Sequence, residues 1–171
     1  MMRLRIMFSH AAVIVMAAAC ASGLIVLAVY GPLWVWALVP LGVVAQMVNE
    51  YNLHRFVFHL PPPRRQWAFD LLYVAHYGHH DFPTNTKLFF VPIWVALPMV
   101  LVNGLALWGI LALFGVSQAL WVAIAIVPVG GVLTFLGYEW FHMTAHVNVP
   151  KSQVERYVTR LHNQHHFRDF G

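Results

Sequence analysis

The sequence predicts an all-α integral membrane protein whose four transmembrane helices form two hairpins. Three observations lead there. Of the 171 residues, 60% are hydrophobic and only 9% charged, against about 25% charged in an ordinary soluble domain. Two stretches, Ala11 to Asn49 (39 residues) and Leu88 to Tyr138 (51 residues), contain no Asp, Glu, Lys or Arg. All ten basic residues fall outside them. With a mean hydropathy of +0.67, this composition excludes a soluble globular domain, a disordered chain and a secreted disulfide scaffold. The single cysteine, Cys20, can form no internal disulfide and reads as a small buried hydrophobe. The length suits one domain covering 1–171. A formal charge of +4 on so apolar a chain points to the membrane surface, and no nucleic acid partner is expected.

A spanning helix needs about 20 apolar residues, so each uncharged stretch holds two. Each also has a turn near its middle, Gly31-Pro32 in the first and Gly115-Val116-Ser117-Gln118 in the second. The expected spans are 10–30, 33–55, 90–114 and 118–144, with 56–88 and 145–171 outside the bilayer. The first hairpin is short, so its helices tilt little or thin the bilayer locally. Met1 to Arg5, followed by an apolar run through Ala18-Ala19-Cys20, faintly resembles a lipoprotein signal. The run continues to Tyr30 and into a second span, which fits a retained helix better. Arg3 and Arg5 precede the first span. Arg55, Arg64, Arg65 and Lys87 lie between the hairpins, and Lys151, Arg156, Arg160 and Arg168 follow the fourth span. The positive-inside rule then places both termini and the central segment in the cytoplasm, in a bacterial inner membrane or an ER-type membrane. Residues 64–73, after Pro61 to Pro63, mix arginines with aromatics and leucines. They read as an interfacial helix or as a cap helix packed on its own protein.

Ten of eleven histidines sit in four clusters: His54-x4-His59, His76-x2-His79-His80, His142-x3-His146 and His162-x2-His165-His166. All lie at or beyond the cytoplasmic ends of spans two and four. On a helix, His142 and His146 share a face, as do His76, His79 and His80, and likewise His162, His165 and His166. His54 and His59 lie about 140° apart on an unbroken helix. Pro61 disfavours helical geometry at Leu60, so a bend near His59 is expected to bring the two rings together. A repeated H-x2-H-H flanked by helix-end pairs points to metal binding; imidazole suits Fe, Zn, Cu and Ni. Ten ligands exceed what one ion accepts, and two ions with about five each is the natural division. Ligating imidazoles are neutral, so binding should weaken below about pH 6.5. His10 reads as a satisfied polar residue outside the set. The clusters fall into two similar halves, with Glu50 four residues before His54 and Glu139 three before His142. Either carboxylate can orient a ligating imidazole as a hydrogen-bond acceptor or join the metals directly, the alternative being a salt bridge to Arg55 or another cap residue.

The string Glu50-Tyr51-x2-His54-Arg55-Phe56-x-Phe58-His59, then His76-x2-His79-His80-x2-Pro83, His142-x3-His146 and His162-x2-His165-His166, resembles the sterol desaturase/fatty acid hydroxylase superfamily. The first string, with Phe89 to Pro92 after the second cluster, is most similar to the fatty acid 2-hydroxylase branch. The resemblance spans about residues 50–170. It implies a four-helix membrane stem under a cytosolic cap with a histidine-bound di-iron centre, all ten clustered histidines matching family ligands by position. Eukaryotic members often carry a fused cytochrome b5-like domain, for which these 171 residues leave no room. Relatives also usually continue past the point corresponding to Gly171 with an aromatic-rich tail.

The activity so implied is an oxidoreductase: an O2-dependent di-iron monooxygenase that hydroxylates a fatty acyl or sphingolipid-type chain held in the membrane. The expected cofactors are two Fe ions, with Zn possible in isolated protein. Electrons would come from an external donor, cytochrome b5-like or ferredoxin-type with its reductase. Trp34, Trp36, Phe89, Phe90, Trp94 and Trp140 are candidates to line the lipid's path, or are interfacial and packing aromatics. Desaturation of a lipid or sterol uses the same chemistry. Carotenoid ring hydroxylation is a further alternative, although the third cluster of those enzymes is usually one residue wider than His142-x3-His146. A metal transporter would place ligands near the bilayer midplane, where this sequence has neither charge nor histidine.

Overall fold

The computed structural model describes residues 1–168, and among the described residues there is no strand. The chain runs through α1 (Met2–Met7), α2 (Ala11–Tyr30) and a 3-10 turn (Leu33–Leu38) into α3 (Val39–Leu53), which ends in a π turn (His54–Phe58). There follow α4 (Gln66–Leu72), a π turn (Tyr73–Tyr77), α5 (Gly78–Asp81), a 3-10 turn (Thr86–Leu88) and α6 (Ile93–Leu113). The last part holds α7 (Ala119–Ile124), a π turn (Ala125–Gly131), α8 (Val132–His146) and α9 (Gln153–Phe167).

Four stretches are long and apolar enough to cross a membrane: Ala11–Tyr30, Leu33–Phe58, Thr86–Leu113 and Ala119–His146, of 20, 26, 28 and 28 residues. They fall on the four expected spans. The second and fourth continue a few residues beyond their expected ends, to Phe58 and His146, and each closes on a histidine pair, His54/His59 and His142/His146. α2 and α6 are apolar on every side, and side chains such as Ile25, Val29, Val102 and Leu105 are exposed. In water such faces would be unfavourable; against acyl chains they are the proper surface. Gly115, the one described residue with positive φ (+76°), closes the turn after α6.

The tightest packing in the stem is backbone on backbone. α3 lies against the π turn 125–131, and a Cβ on Gly42 would collide with the carbonyl oxygen of Ile126. One on Gly130 would collide with the carbonyl of Val39. Pro128 removes a helical N–H inside that same turn, and the wider π geometry accommodates the loss. α2 joins the pair through Leu27, buried with Val35, Ala125 and Val129. Glycine is therefore required at both crossing positions for close approach, as in small-residue helix contacts of membranes.

α9 is built differently. Ser152 accepts from the Glu155 N–H, and the Glu155 carboxylate accepts from the Ser152 N–H, closing a capping box. Arg3 of α1 donates to Glu155 (2.5 Å) and to the Pro150 carbonyl. The Trp140 indole of α8 also reaches Glu155 (3.3 Å). The start of α9 is thus tied to both α1 and α8. Residues 64–73 form the shorter helix α4, and none of its seven residues is buried.

Substituting Gly42 or Gly130 by Leu should lower thermal stability by at least the ~1–3 kcal/mol of ordinary overpacking, because backbone cannot step aside. Gly137, with nothing within 4 Å of its notional Cβ, should tolerate Ala and gain up to about 1 kcal/mol of helix propensity. Circular-dichroism melts of the detergent-solubilised variants distinguish the two cases.

Candidate metal centre

Four helix ends deliver the clustered histidines. His54 begins the π turn that closes α3, and the His59 N–H donates to the His54 carbonyl at 3.2 Å. That wider turn, more than a bend imposed by Pro61, brings the two rings together, with Nε2 atoms 3.1 Å apart. His76 lies in the second π turn, His79 and His80 in α5, His142 and His146 in the last turns of α8, and His162, His165 and His166 on α9. π turns in helices recur at functional sites because they re-aim side chains without breaking the element.

The Nε2 atoms of His54, His59, His76, His80 and His165 form a closed ring with successive separations of 3.1, 3.0, 2.9, 3.1 and 2.9 Å. Five hydrogen bonds do not account for it. A neutral imidazole Nε2 presents either a proton or a lone pair, so five such atoms satisfy at most two bonds among themselves. Neighbouring ligands at right angles around an ion, each about 2.1 Å from it, stand about 3.0 Å apart. The ring therefore fits lone pairs aimed at a common cation.

The second group is His79, His142, His146, His162 and His166, with one ring nitrogen from each lying within 4.8 Å of all the others. His142 and His79 stand 2.8 Å apart and His146 and His162 2.7 Å apart through Nε2. Both ring nitrogens of His166 are buried without a hydrogen-bond partner, which costs stability, and a cation would satisfy the one that carries the lone pair. His10 stays outside both groups, its ring 4.5 Å from that of Phe90.

The expectation that each H-x2-H-H shares one face needs correction. His76 and His80 join the first group and His79 the second, whereas His162 and His166 join the second and His165 the first. Helical geometry supplies the reason: positions i+3 and i+4 lie about 60° to one side and 40° to the other side of i. A group about 100° wide faces two centres. Each half of the sequence thus gives four histidines to its own centre and one to the other.

Burial, reinforced by neighbouring imidazoles, pushes His79 and His166 down to about 3 and His59 to about 4. His76 and His162 are depressed further for the same reason. All are neutral near pH 7, the state a metal requires.

Glu139 is fully buried. Its Oε1 accepts from the Val91 N–H at 3.0 Å, and its Oε2 stands 3.7 Å from His142 Nδ1, just beyond hydrogen-bond range. Glu50 accepts from the Gln46 amide at 2.8 Å. Arg55 turns to the Tyr51 hydroxyl (2.5 Å) instead of to Glu50. Glu50 lines three spaces at once. One is a cavity of about 490 Å³ within the stem, walled by residues such as Met16, Leu41, Val100 and Phe135. The second is a small space beside His76, His79 and His142, and the third a groove along His54, His162 and His165.

Of the six aromatics expected along this path, Phe89 lines the small space beside His79. Trp34 donates to Gln118 (3.1 Å), joining the two loop ends, Trp140 serves Glu155, and Phe90 packs with Met7 and Val13. Gln46, Asn49 and Asn103 line the stem cavity instead. Their signal was available, as polar side chains inside otherwise apolar spans.

Acid should loosen this centre. The folded histidines hold their protons less tightly than an unfolded histidine does, near 6.5. Below that value the unfolded chain takes up more protons, so their contribution is complete above about pH 6.5 and is lost as pH falls toward about 4. Melting temperatures of metal-free protein should fall steadily from about pH 6.5 to about pH 5. A flat profile would contradict the buried, neutral arrangement.

The sequence signature of the fatty acid hydroxylase family matches residues 39–170, which include every clustered histidine. A dihydroceramide fatty acyl 2-hydroxylase of Arabidopsis thaliana is 32% identical over 133 residues, covering 77% of this chain and 52% of that protein. A second dihydroceramide fatty acyl 2-hydroxylase of the same plant is 28% identical over 141 residues, with the same coverage. Fatty acid 2-hydroxylase of Homo sapiens is 28% identical over 133 residues, covering 74% of this chain and 32% of that protein. The chain spans about half the length of the plant relatives and a third of the human one. No solved structure matches it. With four of its helical stretches fit to cross a membrane and its histidines gathered at their ends, the chain belongs to the fatty acid hydroxylase family.

Proposed function

We propose that the chain is an O2-dependent lipid hydroxylase acting on a long fatty acyl or sphingolipid-type chain. The observation that carries this reading is the position of Glu50, one side chain that borders an apolar cavity inside the stem and two further spaces lined by histidines of both groups. The names of the relatives, fatty acid and dihydroceramide fatty acyl 2-hydroxylases, support the substrate class. Each turnover consumes O2, two electrons and two protons. One oxygen atom enters a C–H bond and the other leaves as water.

Two irons, one in each histidine group, supply O2 activation when bound. The protein supplies the rest. His54, His59, His76, His80 and His165 hold one ion, and His79, His142, His146, His162 and His166 the other. Glu139 holds α8 against the start of α6 through Val91, which keeps His142 aimed inward. The stem cavity receives the acyl tail and excludes water from the reacting carbon. Along α3 it extends from Leu41 to Leu53, about 18 Å at the helical rise of 1.5 Å per residue. Extended single bonds advance about 1.2 Å each, so the cavity matches a tail of about 15 bonds. The ten basic residues, all outside the uncharged stretches, support two membrane hairpins with the histidine end on the cytoplasmic side, within reach of an external electron donor.

Elemental analysis and oxygen-isotope labelling test this together. Two metals per chain and one labelled oxygen in an acyl product are expected. His79→Ala and His165→Ala should each lose about half the metal and all turnover, whereas His10→Ala should keep both. Full metal content in both cluster variants, or no labelled product from the two-metal protein, would sink the reading.

A further inference from the structure

α9 presents three distinct faces. His162, His165 and His166 point inward. About 120–160° around the helix from His162 lie Arg156, Arg160 and Phe167, on one exposed stripe. Lys151 and Arg168 extend that stripe at either end, and no acidic side chain among the described residues lines it. The one acid of α9, Glu155, is turned the other way and engaged by Arg3. Phe167 is 69% exposed amid these cations. An exposed apolar ring flanked by cations is the composition of a docking site more than of a merely solvated face.

The third face decides what the stripe faces. Val154, Tyr157 and Leu161 are exposed there, and Leu161 borders the groove shared with Met47 and Tyr51 of the second membrane stretch. The apolar flank is therefore the one beside lipid, and the basic stripe is turned about 110° from it, with Arg160 reaching back over the Tyr157 ring at 5.4 Å and Arg156 facing the water-exposed side. We propose that this stripe docks the acidic surface of a water-soluble one-electron carrier. The proposal rests on the hydroxylase reading, which demands two electrons per turnover, each passed from a reduced carrier that leaves oxidised. Its place is favourable: the same helix carries three histidines on its inner side, so a docked carrier stands about one helix diameter, 10–12 Å, from them. Positive charge also raises the encounter rate with an acidic partner, an effect that salt screens.

The test uses the full metal-loaded chain in phosphatidylcholine nanodiscs, with the acidic haem domain of a cytochrome b5 and an acidic ferredoxin as probes. At least one probe should bind the parent with an affinity that falls as salt rises. Arg156→Glu with Arg160→Glu should weaken it about tenfold or more, with metal content unchanged. Arg156→Gln with Arg160→Gln should give an intermediate loss, which guards against misfolding of the charge reversal. Turnover driven by dithionite should be the same in parent and variants, while turnover driven by the reduced carrier should fall. Equal carrier affinity in parent and both variants, or binding of neither probe by the parent, overturns the proposal. So does a variant that loses only its attachment to phosphatidylserine vesicles, which would assign the stripe to lipid headgroups. Absence of product from the parent with dithionite would instead count against the hydroxylase reading, with the binding data still judging the docking face.

Discussion

Lone pairs that converge repel one another unless they share a cation, and the architecture follows from gathering two such sets of imidazoles. Five Nε2 atoms in a ring about 3 Å on a side cannot be satisfied by hydrogen bonds alone. Keeping such rings neutral requires burial, and burial at helix ends requires side chains aimed back into the protein. The π turn at His54–Phe58 and the one at Tyr73–Tyr77 do this, each shifting the angular position of the residues that follow. At α9 the same demand is met by a capping box and by Arg3, which fix where the helix starts and hence where its histidines fall.

The stem serves the same end from the other side. In a bilayer, apolar side chains give no hydrophobic reason for helices to pair, so contact rests on close fit. Gly42 and Gly130 provide it, bringing α3 and the fourth membrane stretch together backbone to backbone. Close approach there coexists with a cavity next to it, bounded by the same α3 and by α6. A stem packed tightly throughout would hold the histidines equally well and leave no room for the acyl tail proposed here. One crossing is rigid, and the adjacent space opens toward Glu50.

Most of the architecture was legible in the sequence because its signals are compositional. Uncharged stretches of sufficient length mark spans whatever their packing, and ten histidines confined to the ends of two spans point to ligation far more than to packing. The convergence of His54 with His59 was legible, its cause less so. A π turn carries no simple residue signature, whereas Pro61 is conspicuous. The division of each H-x2-H-H between two centres was written in helical angles but is lost when three residues are treated as one face. Cavity lining was the least legible part. Large aromatics draw attention, yet Trp34 and Trp140 are used for their indole N–H groups, at the loop ends and at Glu155. The cavity wall is made instead by aliphatic side chains, by Phe135 and by Gln46, Asn49 and Asn103.

The exchange of His79 and His165 links assembly to chemistry. Neither half of the sequence completes a group of five histidines alone: each supplies four to its own group and takes the fifth from the other. A half that has folded without its neighbour therefore presents an incomplete set, with weaker hold on a cation. Binding that needs both halves stabilises their association by its own free energy, because ligands spread across an interface act as a cross-link. The same geometry keeps the two proposed ions adjacent, since α5 and α9 each touch both. A single mobile chain segment bearing all its ligands would bind metal just as well and leave it anywhere. Shared histidines put both proposed ions at the junction of the halves, close to Glu50 and the cavity it borders, which is where the proposed hydroxylation needs oxidant and acyl chain to meet.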